Sequence, residues 1–298
     1  MSPAALPLSH LSLALAAVLV WGSNFVVIQF ALAELPPLTM AALRFTMAAL
    51  PAALLLPRPA VPWGQLAAYG LFVGAGQFGL LYTAMAHDIS PGMASLVIQT
   101  QVFFTLLLAV AFAGERVQRF QAAALALAAG GIGVILTHTG GSVTPLGLVL
   151  TLAAAFSWAC GNLVGKRAGR VNMLAYTVWS SLFAAAALWV MALWHDGPAR
   201  ALHAVQAASP LAWAAMGWQA YANTLFGYGI WSWLLSRHEA SQVVPFALGV
   251  PVVGMLTASV VVAEPLPGWK LAAAGLVLAG LALNVFWPAL RRRLREGA

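Results

Sequence analysis

Seven amides are the groups in this sequence best placed to do chemistry: Asn24, Gln29, Gln77, Gln99, Gln101, Asn162 and Asn223. Each is set within a long run of Ala, Leu, Val and Phe. An amide donates and accepts hydrogen bonds but carries no titratable proton, so its chemistry is recognition of polar, uncharged groups. Amides bare in hydrocarbon are costly and must face one another or a wet cavity. Two readings stand for each: a bond holding helices together, worth about 0.6 kcal/mol, or a place on a binding wall. Ser95 and Gln99, four apart, share one helical face, whereas Gln101 points elsewhere.

One charge lies inside an apolar run. Arg44 falls about two turns into the second run, roughly 10–12 Å from its end at 1.5 Å per residue. It reads either as a counter-charge for a solute carboxylate or as a structural Arg that binds helix-end carbonyls or snorkels to the interface. The seven acids, Glu34, Asp88, Glu115, Asp196, Glu239, Glu264 and Glu296, fall at run ends or in loops. A proton relay on a mid-membrane carboxylate is therefore not expected, and the solute should be neutral or zwitterionic. His87, His138, His195 and His238 also sit at run ends and build no cluster, which disfavours an intramembrane enzyme. The lone Cys160 excludes an intramolecular disulfide and a multi-thiolate metal site. No cofactor is implied. No phosphate-cradling G-x-x-x-x-G-K-[ST] loop is present, so ATP is not expected to drive the protein.

Aromatic residues offer a second recognition chemistry. Phe78 and Tyr82 are four apart. Trp218, Tyr221 and Tyr228 stand at i, i+3 and i+10, so each set forms a stripe. Such stripes serve either bundle packing or an apolar wall of a pocket. Pro245, Gly249 and Pro251 interrupt one run; two prolines remove two helix hydrogen bonds and predict a hinge. The matching stretch, Ser95 to Val102, has no proline, so the hinge is expected in one half only.

These residues need elements that cross a bilayer. Of 298 residues, 62% are hydrophobic and only 7% charged, with mean hydropathy +0.89. A soluble domain carries about 25% charged residues, so lipid must be the solvent. A span needs about 20 apolar residues. Ten runs qualify: Leu11–Ala33, Leu38–Leu56, Gln65–Ala86, Gly92–Ala113, Phe120–Thr137, Leu146–Gly165, Met173–Trp194, Leu211–Leu235, Ser241–Val262 and Gly268–Leu290. Ala31-Leu32-Ala33 imitates a signal-peptidase site, but the run before it is too long and lacks a leading Lys or Arg; it reads as a retained first span. Connections are short except for His195 to Pro210.

The net charge of +7 is a topology signal rather than a nucleic-acid one. Ten spans put the tail arginines Arg291, Arg292, Arg293 and Arg295 on one side. Arg58, Arg116, Arg119, Lys166, Arg167, Arg170 and Arg237 fall there too, and only Arg200 and Lys270 fall opposite. That bias makes both termini cytoplasmic.

The chain also begins again. Leu15 to Val26 reaches Trp21 and Asn24; Leu150 to Lys166 reaches Trp158 and Asn162. Shifting by 149 residues sets Glu115 on Glu264. Five spans per copy means the second copy enters the membrane from the other face. The expectation is an all-α integral membrane protein with ten transmembrane helices in two inverted five-helix repeats, residues 1–142 and 143–298. The second repeat ends in a basic cytoplasmic tail, and a solute site lies where the copies meet.

Trp21-Gly22-Ser23-Asn24, Leu43-Arg44-Phe45, Gly114-Glu115-Arg116 and Thr151–Asn162 (TLAAAFSWACGN) resemble the EamA family of the drug/metabolite transporter superfamily. The Thr151–Asn162 stretch is similar to its O-acetylserine/cysteine exporter branch. The resemblance implies ten helices in inverted repeats, cytoplasmic termini, a bacterial inner-membrane location and export of amino acids or related metabolites. Glu264-Pro265 departs from the acid–Arg pair that many relatives carry there. The expected partners are a small-molecule solute and the bilayer, without nucleic acid, and a monomer is allowed. The residues expected at the solute site are Asn24, Arg44, Phe78, Tyr82, Ser95, Gln99, Trp158, Asn162, Tyr221 and Tyr228. An exporter of lipophilic drugs is the alternative.

Overall fold

A computed structural model describes residues 6–113, 116–169 and 171–296. Gly114, Glu115 and Arg170 lie outside these, as do the side chains of the tail arginines. With no water in a bilayer core, each backbone N–H and C=O must be paired within its own segment, and the chain is accordingly helical. The helices are α1 (Leu8–Leu32), α2 (Pro37–Leu55), α3 (Trp63–His87), α4 (Pro91–Phe112), α5 (Arg119–Leu136), α6 (Pro145–Lys166) and α7 (Met173–His195). After them come α8 (Pro198–Ala207), α9 (210–237), α10 (Ala240–Val261) and α11 (Gly268–Glu296). The connection expected after His195 is thus itself helical.

Among the described residues, nine helices are long and apolar enough to cross a membrane. The tenth expected span, α9, is helical throughout but falls short on apolarity. The physical reason is its polar middle, where Gln219, Asn223 and Thr224 are all buried.

Helix pairing has a two-fold pattern. α2 packs on α7 and α5 on α11, each joining matching helices of the two repeats. α1 packs on α10 while α6 packs on α4, and α9 packs on α1 while α6 packs on α3. The α5–α11 contact depends on small residues. A Cβ on Gly131 would meet Val277 at 2.7 Å, and one on Gly280 would meet the Ala124 carbonyl at 2.7 Å.

Matching helices also break alike. α3 carries π-helical turns at Gly70–Phe78 and α9 at Trp218–Phe226. α4 tightens to a 3₁₀ turn at Ile98–Thr100 and α10 at Val244–Leu248. The expectation of an interruption in one half only is corrected: the proline-free α4 breaks as well. Pro245 lies in the α10 break, with Gly249 and Pro251 opening the α-helix after it.

Candidate functional site

These four irregular turns surround one cavity of about 290 Å³. α1 supplies Trp21, Asn24, Phe25 and Ile28; α3 supplies Tyr69, Gln77, Phe78 and Leu81; α4 supplies Ile98, Gln99 and Gln101. From the second repeat come Trp158 and Asn162 on α6, Asn223, Tyr228 and Trp231 on α9, and Ala247 and Val250 on α10. The wall is made of amides, rings and aliphatic groups, with no Asp, Glu, Lys or Arg among its described residues.

The repeated Trp–Asn pair therefore meets itself across the cavity, from α1 and from α6. The two asparagines are not equivalent. Asn162 Nδ2 donates to Gln101 Oε1 at 2.8 Å and to Thr105 Oγ1 at 3.2 Å. Asn24 Oδ1 is buried with no partner among the described residues, and so is Gln77 Oε1. Buried acceptors without partners are costly, and cavity walls are where proteins retain them. Rings form a cluster beside Asn24: Trp21 lies 5.0 Å from Trp231 and 5.7 Å from Tyr228, centre to centre. The Trp21 indole N–H donates to the Asn223 carbonyl at 3.1 Å, which fixes that ring.

Six of the residues expected at the site line this cavity: Asn24, Phe78, Gln99, Trp158, Asn162 and Tyr228. Arg44 and Tyr82 lie behind it. The Arg44 side chain is 1% exposed, and its guanidinium sits 3.8 Å from the centre of the Phe78 ring, which is itself wall. Arg44 donates to the Tyr82 hydroxyl at 2.6 Å and to Thr224 Oγ1 at 3.2 Å, and Tyr82 donates to Gln219 Oε1. No carboxylate among the described residues pairs with Arg44. This network joins α2 and α3 of one repeat to the π-helical turns of α9 in the other.

Ser95 and Tyr221 lie elsewhere. The Ser95 hydroxyl donates to the Gly92 carbonyl at 2.7 Å, and its Cβ packs where a side chain on Gly254 would fall. Tyr221 is 46% exposed and Trp218 38%, while Tyr228 faces the cavity. The stripe expected from α-helical spacing is split because a π turn inserts an extra residue and rotates the residues beyond it. The 3₁₀ turn in α4 acts similarly, bringing Gln101 onto the same wall as Gln99. Tyr69 and Trp231 lie far from mid-span in sequence, and spacing alone gave no signal for them.

The EamA-like transporter family model matches residues 8–137 and again 145–286. The chain is 40% identical to a probable amino-acid metabolite efflux pump of Escherichia coli, over 96% of this chain and 98% of that protein. It is 41% identical to a probable amino-acid metabolite efflux pump of Salmonella typhimurium, over 95% and 97% of the two chains. A crystal structure at 21% identity covers 96% of this chain and 98% of its own with a TM-score of 0.63, which supports the fold. On the double match and the full-length relatives, the chain belongs to the EamA-like transporter family.

Proposed function

We propose that this chain exports amino acids and related neutral or zwitterionic metabolites across the bacterial inner membrane, by alternating access of the central cavity. The observation that carries this is the uncharged amide-and-aromatic wall shared by both repeats, taken with the function for which the two relatives are named. The repeats are residues 1–142 and 143–298, inverted with respect to each other, with both termini cytoplasmic. The amides meet the polar end of the solute, and the Trp21–Tyr228–Trp231 rings meet its apolar end. Arg44 acts from behind Phe78, as a fixed positive charge that favours a carboxylate in the cavity and disfavours a lone cation. Movement is powered without ATP.

Pockets for drug-sized ligands run about 300–1,000 Å³. A cavity of about 290 Å³ lies at the small end of that range, a size that accommodates an amino-acid metabolite. The test is uptake of a radiolabelled amino-acid panel into liposomes holding only this protein. Movement of amino acids but not of their amides supports the reading. Movement of none, with drug extrusion from cells, replaces it with drug export.

A further inference from the structure

Four carboxylates gather at the end of the molecule where α1, α3, α7 and α10 finish, and the cavity uses none of them. Each bonds the N-terminus of a helix that belongs to the other repeat, Asp196 and Glu264 through helix N–H groups, Glu34 and Asp88 through the N-cap residues Ser209 and Thr144. Glu34 accepts from the Ser209 N–H and hydroxyl, both at 2.6 Å, at the start of α9. Asp88 accepts from the Thr144 hydroxyl at 2.7 Å at the start of α6. In the reverse direction, Asp196 accepts from the Thr39 hydroxyl at 2.8 Å and its N–H at 3.2 Å in the first turn of α2. Glu264 accepts from the Ser90 hydroxyl at 2.6 Å and the Gly92 N–H at 2.9 Å at the start of α4. All four capped helices begin with proline: Pro37, Pro91, Pro145 and Pro210. Helix N-termini leave N–H groups unpaired and favour negative charge, which favours each contact, more so for the buried Asp196 and Glu264 than for the exposed Glu34.

We propose that these four carboxylates are the gate residues of the exit mouth, formed while that end is shut and released together when it opens. The proposal rests on the transport reading and on that end facing outward. Three features distinguish a releasable gate from fixed bracing. First, every contact crosses the same seam, so one rocking motion parts them all. Second, two of the four helices stay capped on parting: the Ser209 and Thr144 hydroxyls also accept from Ala212 N and Gly147 N in their own helices, whereas α2 and α4 return their freed N–H groups to water as that end opens. Third, one of the two buried acids, Glu264, carries its own counter-ion, while Asp196 keeps its neighbour His195 at 3.1 Å. Lys270 Nζ lies 2.7 Å from Glu264 Oε1 within the same repeat, so the carboxylate stays compensated when Ser90 and Gly92 leave. Ala263, directly before Glu264, is the one non-glycine residue with positive φ (53°) among those described. The cavity meanwhile reaches from Leu81 toward Tyr69 and Trp231, away from the capped end.

The test uses the full-length protein carrying Cys160→Ser. Glu34→Cys with Ser209→Cys places a removable cross-link over one contact. Oxidation should lower amino-acid transport in liposomes at least about tenfold, with recovery on reduction, since locking one state depletes the other. Separately, a reporter cysteine at Leu81→Cys is labelled from outside with a membrane-impermeant maleimide. Glu34→Gln with Asp196→Asn should raise that rate about tenfold, a shift of the closed–open balance. The exposed Glu34→Gln alone, which cannot collapse the core, should raise it in the same direction. Unchanged transport in the cross-linked protein, or unchanged labelling in both amide variants, overturns the gate. Labelling that responds while no solute moves in any form leaves the gate standing and removes the transport reading instead.

Discussion

The two ends of this molecule join the repeats by different chemistry. At one end, acids of each repeat cap helices of the other. At the opposite end, helices are capped from within: Asn172 accepts from Leu174 N and Ala175 N of its own helix, and Gln118 forms a capping box with Gln121. The repeats are joined there by neutral donors on helix carbonyls, Gln65 to Val164 and Trp179 to Leu56, each at 3.1 Å, and by His10 with His238 at 2.7 Å. The basic loop residues Arg58, Arg119, Lys166, Arg167 and Arg237 also lie at that end. In the proposed topology those cations face the cytoplasm, while cohesion at the far end comes from acids. A single charge inventory thus serves two separate purposes.

Four changes test this contrast. The largest effect is expected from Lys270→Met. Lys270 is 1% exposed, and removing one partner of a buried ion pair costs about 3–5 kcal/mol; unfolding in detergent should show a loss of that order. Asp196→Asn comes next. It keeps acceptors for Thr39 but loses the charge, and a charge-assisted bond is roughly twice as strong as a neutral one. A loss of about 1 kcal/mol is expected, with faster labelling of the cavity from outside. Asn172→Ala is the control at the other end. It should also cost about 1 kcal/mol yet leave outside labelling unchanged; equal labelling changes at both ends would erase the distinction.

The smallest effect is a pH dependence. The Ser209 hydroxyl, then its N–H, holds the Glu34 carboxyl below its usual range. A lowered carboxylate pKa lends stability that is complete above the ordinary value near 4.5 and fades as pH falls through the lowered one. Outside labelling should therefore rise only in acid, and Glu34→Gln should flatten the profile. His87, Arg200 and His203 share the surface pocket beside Glu34, so the comparison is made between wild type and that variant at each pH.

Much of this was legible in the chain itself. Long apolar runs gave the helices, and the Trp21–Asn24 and Trp158–Asn162 pairs located the two helices that face each other. The positions of Asp88, Asp196, Glu34 and Glu264 at span ends were also plain. Their partners were not, because each donor lies in the other repeat, and Ser90, Thr144 and Ser209, directly before Pro91, Pro145 and Pro210, read only as loop punctuation. Residues such as Gln101 and Tyr221 changed face because α-helical periodicity cannot anticipate a π or 3₁₀ turn, whose cause is tertiary. Arg44 could be located but not oriented; its seat behind Phe78 depends on Tyr82, Gln219 and Thr224 from two other helices.

The polar middle of α9 bears on how the protein is made. A segment with Gln219, Asn223 and Thr224 at its centre gains little by entering lipid alone. Its polar side chains find company in α2 and α3, through Arg44 with Thr224 and Tyr82 with Gln219, and both helices emerge from the ribosome well before it. Insertion of the eighth long helix is thus a docking event onto earlier ones, and a version of the chain synthesised from the second repeat alone would leave it stranded at the translocon.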